Sequence, residues 1–253
     1  MVLRVVVYFG LMVFVLLFVG GLQQEVGLPD DLMVLFQWAP GIAGLLTMLI
    51  FRRRDAARIA FLDPDMPLRR YVQAFLVPAS LGVLSFAFAL VFLGGSQSVP
   101  LTLAGIGMMT IGAVGEEIGW RGYLHRRIAP HMSGLTSSLV VGLLWTAFHL
   151  TMYIEGGALF IAFMALAFVS MSIMAYAALA DYAFNVLGAT VFHLAINLTS
   201  SLVFCYLLGF DLAFVIAAAV VLLRRDLFFT ELAPAHTSLK AASTQRSLGG
   251  SFR

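Results

Sequence analysis

Charged residues are scarce in this chain of 253 residues. Asp, Glu, Lys and Arg make up only 11% of the sequence and 61% is hydrophobic, whereas about a quarter of an ordinary soluble domain is charged. The composition therefore predicts a polytopic membrane protein. The net charge is only +2, and the bases lie in short loops and the tail, so no nucleic-acid partner is expected.

Several common functional signatures are also missing. The single cysteine, Cys205, excludes an intrachain disulfide and lies in an apolar run, where we expect a small core residue. The sequence has no Cys-x-x-Cys, no phosphate-binding P-loop and no Gly-x-Gly-x-x-Gly turn. It also has neither a Gly-x-Ser-x-Gly nucleophile elbow nor a His-Glu-x-x-His helix. A covalent acyl-enzyme is therefore disfavoured, and a zincin site is absent.

Long apolar segments dominate what is present. A spanning helix needs roughly 20 mainly apolar residues, and eight segments are candidates, of which the last is short: 2–20, 32–51, 72–93, 101–118, 137–153, 158–179, 187–207 and 212–223. We predict an all-α transmembrane bundle of about eight spans with a polar catalytic cavity between helices. Because "VGGLQQ" offers no small-x-small cleavage site, the first segment is predicted to be a retained helix.

The basic residues predict the orientation of these spans. They cluster in three places: Arg52, Arg53, Arg54, Arg58, Arg69 and Arg70 in the second loop, Arg126 and Arg127 after the fourth segment, and Arg224 and Arg225 at the start of the tail. With eight spans all three fall on one side, which the positive-inside rule makes cytoplasmic together with both termini. Residues 1–229 form one transmembrane domain in this interpretation, and residues 230–253 form a disordered cytoplasmic tail.

A few polar residues interrupt the apolar segments. An ionisable side chain near a helix centre costs on the order of 2.5–3.5 kcal/mol to insert, so such residues point to function. They lie on three segments: Glu116, Glu117 and Arg121 on the first, His149 on the second, and His193 and Asn197 on the third. These side chains can meet only if the three helices pack around a polar cavity. His125, His131 and His236 lie in loop or tail sequence, where we expect them to be solvated.

The spacing within each group suggests separate roles. Glu117 and Arg121 are four residues apart, which suits an ion pair on one helix face. Glu116 is rotated by about 100° and can point elsewhere. His193 and Asn197 are also four residues apart, and Trp145 lies one turn before His149, where it can wall the same space.

These carboxylate, imidazole and carboxamide side chains suit the attack of water on a carbonyl group. A carboxylate can take a proton from water, an imidazole can hold that water, and an imidazole or carboxamide can stabilise an oxyanion. Glu116, His149 and His193 are also possible ligands of a divalent metal such as zinc. Because Asn197 beside His193 suits a hydrogen-bonding role, we expect water activation by Glu116 and His149 without a metal, with a zinc site as the alternative.

Three motifs resemble those of the CPBP, or Abi, family of intramembrane proteases, whose eukaryotic members are the CAAX prenyl endopeptidases. "EEIGWR" (116–121) fits Glu-Glu-x-x-x-Arg, "WTAFH" (145–149) fits Phe-x-x-x-His with Trp for Phe, and "HLAIN" (193–197) fits His-x-x-x-Asn. The resemblance covers about residues 101–208. It implies that Glu116 and His149 activate water, that His193 and Asn197 stabilise the oxyanion or position the water, and that Glu117 and Arg121 support the site. The family is commonly labelled metalloprotease, although a metal-free glutamate mechanism is also argued for it.

The expected function is thus an endopeptidase of the cell membrane. Its partners would be membrane lipid and a membrane-associated or lipidated peptide substrate, cut near the cytoplasmic face. One alternative is a non-catalytic immunity or scaffold protein, since bacterial relatives are linked to bacteriocin self-immunity. A proton-coupled transporter is a further alternative, which the sequence disfavours because it shows no repeat of the motif and no matched pair of broken helices.

Overall fold

The computed structural model describes residues 1–26, 34–51, 59–92, 101–202 and 206–229. Across these residues the chain is helical and contains no strand, which confirms the all-α prediction. The helices are α1 (Val2–Val26), α2 (Val34–Gln37), α3 (Ala39–Ile50), α4 (Leu68–Phe92), α5 (Leu103–Glu117), a π-helix (Ile118–His125), α6 (Arg126–Ile128), α7 (Gly134–Tyr153), α8 (Gly157–Leu179), α9 (Val186–Leu202), α10 (Tyr206–Leu223) and α11 (Arg225–Phe229). Short 3₁₀ turns follow α6, α7 and α8.

Each predicted apolar segment overlaps a helix, but not all of these helices are long. Within the described residues, two stretches, Val2–Leu22 and Ile154–Tyr182, are long and apolar enough to cross a bilayer. Three further apolar helices are shorter, at Ala39–Ile50, Gly134–Leu150 and Val186–Thr199. The number of spans therefore remains a prediction.

The second predicted segment is divided in two. Helix α2 ends at Gln37 and α3 begins at Ala39, with Pro40 in its first turn. Proline suits a first helical turn because the amide that it lacks would have no partner there. The proline therefore favours a new helix start over one continuous helix.

The prediction of a loop directly after the fourth segment is wrong. Helix α5 passes directly into the π-helix, which continues through α6 to a 3₁₀ turn at Ala129–His131. Trp120, Tyr123 and Leu124 of the π-helix are buried in the core, so this stretch is fixed by packing although its sequence mixes charged and apolar residues. A prediction based on hydrophobicity ends the helix at the first cluster of charged residues and therefore does not include the π-helix.

Short polar side chains cap the helices that carry the predicted site. The hydroxyl of Thr102 accepts from the Gly105 amide (3.0 Å) before α5, and the hydroxyl of Ser133 accepts from the Thr136 amide (3.2 Å) before α7. Asn185 Oδ1 accepts from the Gly188 amide (2.8 Å) before α9. Each bond satisfies an amide of the first helical turn, and such caps are worth about 1 kcal/mol each. They fix where the site helices begin.

Helix packing brings three parts of the sequence to one place. Helix α3 lies against α1, α5 and the π-helix, while α9 packs between α4 and α5 and also contacts the π-helix. Helix α7 packs on α8 and touches the π-helix. The end of α5, the π-helix, α7 and α9 therefore surround a common interior space.

Two glycines allow α3 to approach this space closely. A Cβ atom at Gly119 would lie 2.3 Å from the carbonyl carbon of Pro40, and one at Gly115 would lie 2.7 Å from Cγ of Trp38. Both distances are shorter than any side chain tolerates. The start of α3 can thus cover the acidic end of α5 only because these positions are glycine.

Candidate active site

The structure brings together six of the seven residues that the sequence singles out. Glu116 and Glu117 end α5, Arg121 lies in the π-helix, Trp145 and His149 lie on α7, and His193 lies on α9. The two carboxylates, the guanidinium and the indole are at most 1% exposed, and His193 is 4% exposed. His149 is the most accessible of the set, with 12% of its side chain exposed.

Glu116 faces α7 with both carboxylate oxygens. The indole N–H of Trp145 donates to Oε2 over 2.8 Å, and Oε1 lies 3.9 Å from Nε2 of His149. Nδ1 of His149 lies 2.9 Å from the carbonyl oxygen of Trp145, so Nδ1 carries the proton and Nε2 is the nitrogen turned to Glu116. A separation of 3.9 Å is too long for a direct hydrogen bond.

Glu117 points to a different set of partners. Its Oε1 accepts from Nη1 of Arg121 over 2.6 Å and from Nδ1 of His193 over 2.8 Å. The ion pair with Arg121 is the one that the four-residue spacing predicts. The contact with His193 was not predicted, because the two residues are 76 positions apart and no local pattern relates them.

Trp145 connects the two carboxylates. The guanidinium carbon of Arg121 lies 4.4 Å from the centre of the Trp145 ring, a cation–π contact. The same ring meets His193 edge-on at 5.2 Å between centroids. Trp145 was predicted as a wall of the cavity, and the structure adds that it is a hydrogen-bond donor to Glu116. The phenylalanine of the usual motif could not supply that bond.

The change from α- to π-helix falls directly after the two acids. Glu117 is the last residue of α5, and its partner Arg121 lies inside the π-helix. π-helical turns are rare and occur often at functional sites. Here the wider turn leaves the Glu117–Arg121 pair intact and buries all eight residues of the π-helix.

Asn197 lies one turn beyond His193 on α9 and is half-buried. Its place on the helix is the one that the His-x-x-x-Asn spacing predicts. Its part in an oxyanion site remains a prediction.

The expectation for the other histidines is partly wrong. His131 is exposed as expected, but His125 is completely buried. The His125 ring stacks on Phe184 at 4.7 Å, and Nε2 lies 3.4 Å from the hydroxyl of Ser137. The π-helix carries His125 into the core, whereas a loop would have left it in solvent. His236 and Cys205 lie outside the described residues.

The candidate metal ligands are Glu116, His149 and His193. No group of three His, Cys, Asp or Glu residues in the described part of the chain is arranged to hold a metal ion. Glu116 faces His149, while His193 is turned to Glu117. The hydrogen bonds of the two histidines engage Nδ1 of each imidazole, an arrangement that is also common for metal-ligating histidines, so the zinc alternative with Glu116, His149 and His193 remains a prediction.

These features define a helical protein with a carboxylate–imidazole site buried among apolar helices, the kind of site in which a hydrolase can activate water. The family model described as type II CAAX prenyl endopeptidase, Rce1-like, matches residues 97–199, so this part of the chain is similar to that family. The match confirms the resemblance and indicates a peptidase, since the proteins of that family are CAAX prenyl endopeptidases, hydrolases acting on peptide bonds. Together with the apolar helices it indicates a membrane protein. No curated protein is similar enough to be matched.

The matched region contains every residue of the site. It begins before α5 and ends within α9, at residue 199. Helices α1 to α4, α10 and α11 lie outside it. Among these, α3 packs directly on α5 and the π-helix, so a helix beyond the matched region also supports the site.

Trp145→Phe tests the hydrogen bond to Glu116. We expect kcat to fall about tenfold with KM unchanged, because one positioning hydrogen bond worth roughly 1.4 kcal/mol is lost while the aromatic wall is kept. Thr146→Val is the matched control, since it removes a buried hydrogen bond of the same helix, from the Thr146 hydroxyl to the Gly142 carbonyl over 2.9 Å, that does not involve Glu116. If kcat falls equally in the two variants, the hydrogen bond from Trp145 to Glu116 has no special part in catalysis and Trp145 contributes only packing.

Proposed function

We propose that the protein is an intramembrane endopeptidase in which Glu116 and His149 activate water to cut a membrane-associated or lipidated substrate near the cytoplasmic face. One observation carries this proposal. A buried carboxylate oxygen lies 3.9 Å from an imidazole nitrogen, while the second carboxylate oxygen is held by an indole N–H. Both facing atoms are hydrogen-bond acceptors, so a water molecule between them would donate to each.

The reaction follows from these two acceptors. Glu116 Oε1 takes one proton from the water as the water oxygen attacks the carbonyl carbon of the scissile bond. His149 Nε2 accepts a hydrogen bond from the second O–H, which stays on the oxygen, and so orients a lone pair of the water towards the carbon. When the tetrahedral intermediate collapses, the carbon–nitrogen bond breaks and Glu116 returns its proton to the leaving amine. Atoms and charge balance without a covalent acyl-enzyme.

His193 and Asn197 are the proposed oxyanion donors. His193 gives Nδ1–H to Glu117, so Nε2 is the ring nitrogen that would meet the substrate. It can donate only when the ring is protonated. A protonated His193 would balance the cluster, because Glu116 and Glu117 would then face Arg121 and His193, two charges of each sign. A neutral cluster is the favourable arrangement in a buried site.

Glu117 and Arg121 fix the position of His193 without contacting the substrate in this proposal. Glu117 fixes the orientation of His193, and Arg121 fixes Glu117 from one turn further along the chain. In this proposal Glu116 transfers protons, and the adjacent Glu117 positions His193.

Comparison of membrane proteomes tests the proposed activity. Cells that carry the wild-type protein should contain a new protein terminus that is missing from cells carrying the double variant Glu116→Gln, His149→Gln. Glu155→Gln is the control, since Glu155 is an exposed acid beyond the end of α7. If the two proteomes show the same termini, a non-catalytic immunity or scaffold role becomes the better interpretation.

The proposal includes the predicted topology of eight spans with both termini in the cytoplasm. It is supported by the basic loops, all of which fall on one side when the chain has eight spans. Reporter fusions after Gly95 and after Arg225 should then report opposite sides of the membrane. The same side for both would contradict the topology and leave the site chemistry untouched.

A further inference from the structure

A second concave feature lies on another side of α9 from the candidate active site. It is a cleft of 410 Å³ between α4, α8, α9 and α10. Its size falls within the range of about 300–1,000 Å³ that is typical of small-molecule sites. None of the residues proposed for catalysis lines it, so it is separate from the candidate active site.

One end of the cleft is basic. Arg70 lies in the first turn of α4, and Arg224 directly follows the end of α10, so the two guanidiniums meet at the same end of the bundle. Nε of Arg70 is buried and has no hydrogen-bond partner among the described residues. Nη1 of Arg70 contacts Gln73, which also lines the cleft, over a long 3.3 Å.

The charge of Arg224 is only weakly compensated. Its Nη2 lies 3.7 Å from Oδ2 of Asp181, and the two side chains are 44% and 51% exposed. Exposed pairs of this kind contribute about 0–1 kcal/mol. The basic end therefore keeps guanidinium donors that an anion would satisfy better than the present contacts do.

The rest of the cleft is apolar. Ala177 and Ala178 of α8 form a low wall, Met174 and Phe192 are buried beside it, and Val220 completes it from α10. The small alanine side chains keep this part of the cleft open. An anion alone would leave the apolar part unused, and an uncharged hydrocarbon would leave the two arginines unused.

We propose that this cleft binds an anionic phospholipid, with the phosphate on Arg70 and Arg224 and the first part of an acyl chain along Ala177 and Ala178. Arginine forks match phosphate oxygens well. Basic pockets between membrane helices on the cytoplasmic side are typical sites for acidic headgroups. The inference rests on the proposed topology, which places this end of the bundle on the cytoplasmic side, and it is independent of the proposed peptidase activity because it uses no residue of the catalytic cluster.

Lipid binding to the full-length protein in detergent tests the charged end. Phosphatidylglycerol is titrated against phosphatidylcholine with the same chains, and retained lipid is measured by native mass spectrometry. The wild type should prefer phosphatidylglycerol. The double variant Arg70→Gln, Arg224→Gln should bind it about 30-fold more weakly, from the contribution expected of two basic residues.

The double variant Arg69→Gln, Arg225→Gln is the matched control. It removes the same charge from exposed neighbouring positions that do not line the cleft, so phosphatidylglycerol should bind it nearly as tightly as the wild type. If both double variants bind phosphatidylglycerol equally weakly, the binding reflects a general effect of surface charge and the proposed site in the cleft is wrong. Equal binding of phosphatidylcholine by the wild type would also overturn the proposal.

Ala178→Leu tests the apolar part and separates a lipid from free phosphate. The larger side chain fills the cleft and leaves both arginines in place, so we expect weaker binding of phosphatidylglycerol and no change with inorganic phosphate. If inorganic phosphate competes as strongly as the intact lipid and Ala178→Leu changes nothing, the site binds a phosphate only and the lipid assignment is wrong. Thermal unfolding without added lipid confirms that each variant is folded.

Discussion

Glu116→Gln is expected to slow peptide-bond cleavage by about a thousandfold, within the range attributed to general acid–base catalysis. Glutamine has the shape of glutamate but cannot take a proton from water. Its amide oxygen can still accept the indole N–H of Trp145, which lies 2.8 Å from Glu116 in the wild type. The midpoint of thermal unfolding should therefore stay within a few degrees of the wild-type value.

Cleavage rates on a purified substrate, measured beside thermal unfolding, check this prediction. Glu155→Gln serves again as the control, because it removes an exposed acid from the turn after α7 and should leave both quantities unchanged. A wild-type rate in folded Glu116→Gln protein would remove Glu116 from the mechanism. A large loss of stability would mean that Glu116 acts mainly through packing.

The sequence predicts the local contacts of the site well. The pair of Glu117 and Arg121 follows from a spacing of four residues on one helix, and the structure shows it at 2.6 Å. Local geometry limits the choices so strongly that one sequence suffices. The different direction of Glu116 follows from the same helical geometry, and the structure turns it to α7.

Contacts between distant segments are not predicted in the same way. The bond between Glu117 and His193 depends on how α9 lies against α5, and the bond from Trp145 to Glu116 depends on one side-chain rotamer of α7. Neither leaves a trace in sequence spacing. Three motifs on three helices indicate that the segments meet, but they do not say which imidazole faces which acid.

The π-helix explains the largest error. Hydrophobicity predicts where a helix is apolar enough to cross a membrane, and it ends the fourth segment near Ile118. The next eight residues remain helical because their aromatic side chains enter the core and because Gly119 admits the backbone of Pro40. His125 is buried for the same reason, since it ends this π-helix.

Arg121→Met should lower the free energy of unfolding by about 3–5 kcal/mol, the cost of breaking a buried ion pair by removing one partner. Arg121 and Glu117 are each 1% exposed, so water cannot solvate the carboxylate that is left behind. Methionine fills part of the volume of arginine and limits the cavity. Cleavage should fall as well, because Glu117 orients His193 through the same oxygen that Arg121 contacts.

The double variant Arg121→Met, Glu117→Gln separates stability from activity. It removes both charges of the ion pair, and replacing both partners of a buried pair is often close to neutral, so we expect it to regain most of the stability lost in Arg121→Met. Cleavage should remain low, because a neutral amide cannot balance a protonated His193. Unfolding in detergent and cleavage rates are measured on both single variants and the double variant. If the double variant is as unstable as Arg121→Met alone, the loss comes from the packing of Arg121 against the Trp145 ring, 4.4 Å away, and the ion pair does not account for the stability of the site.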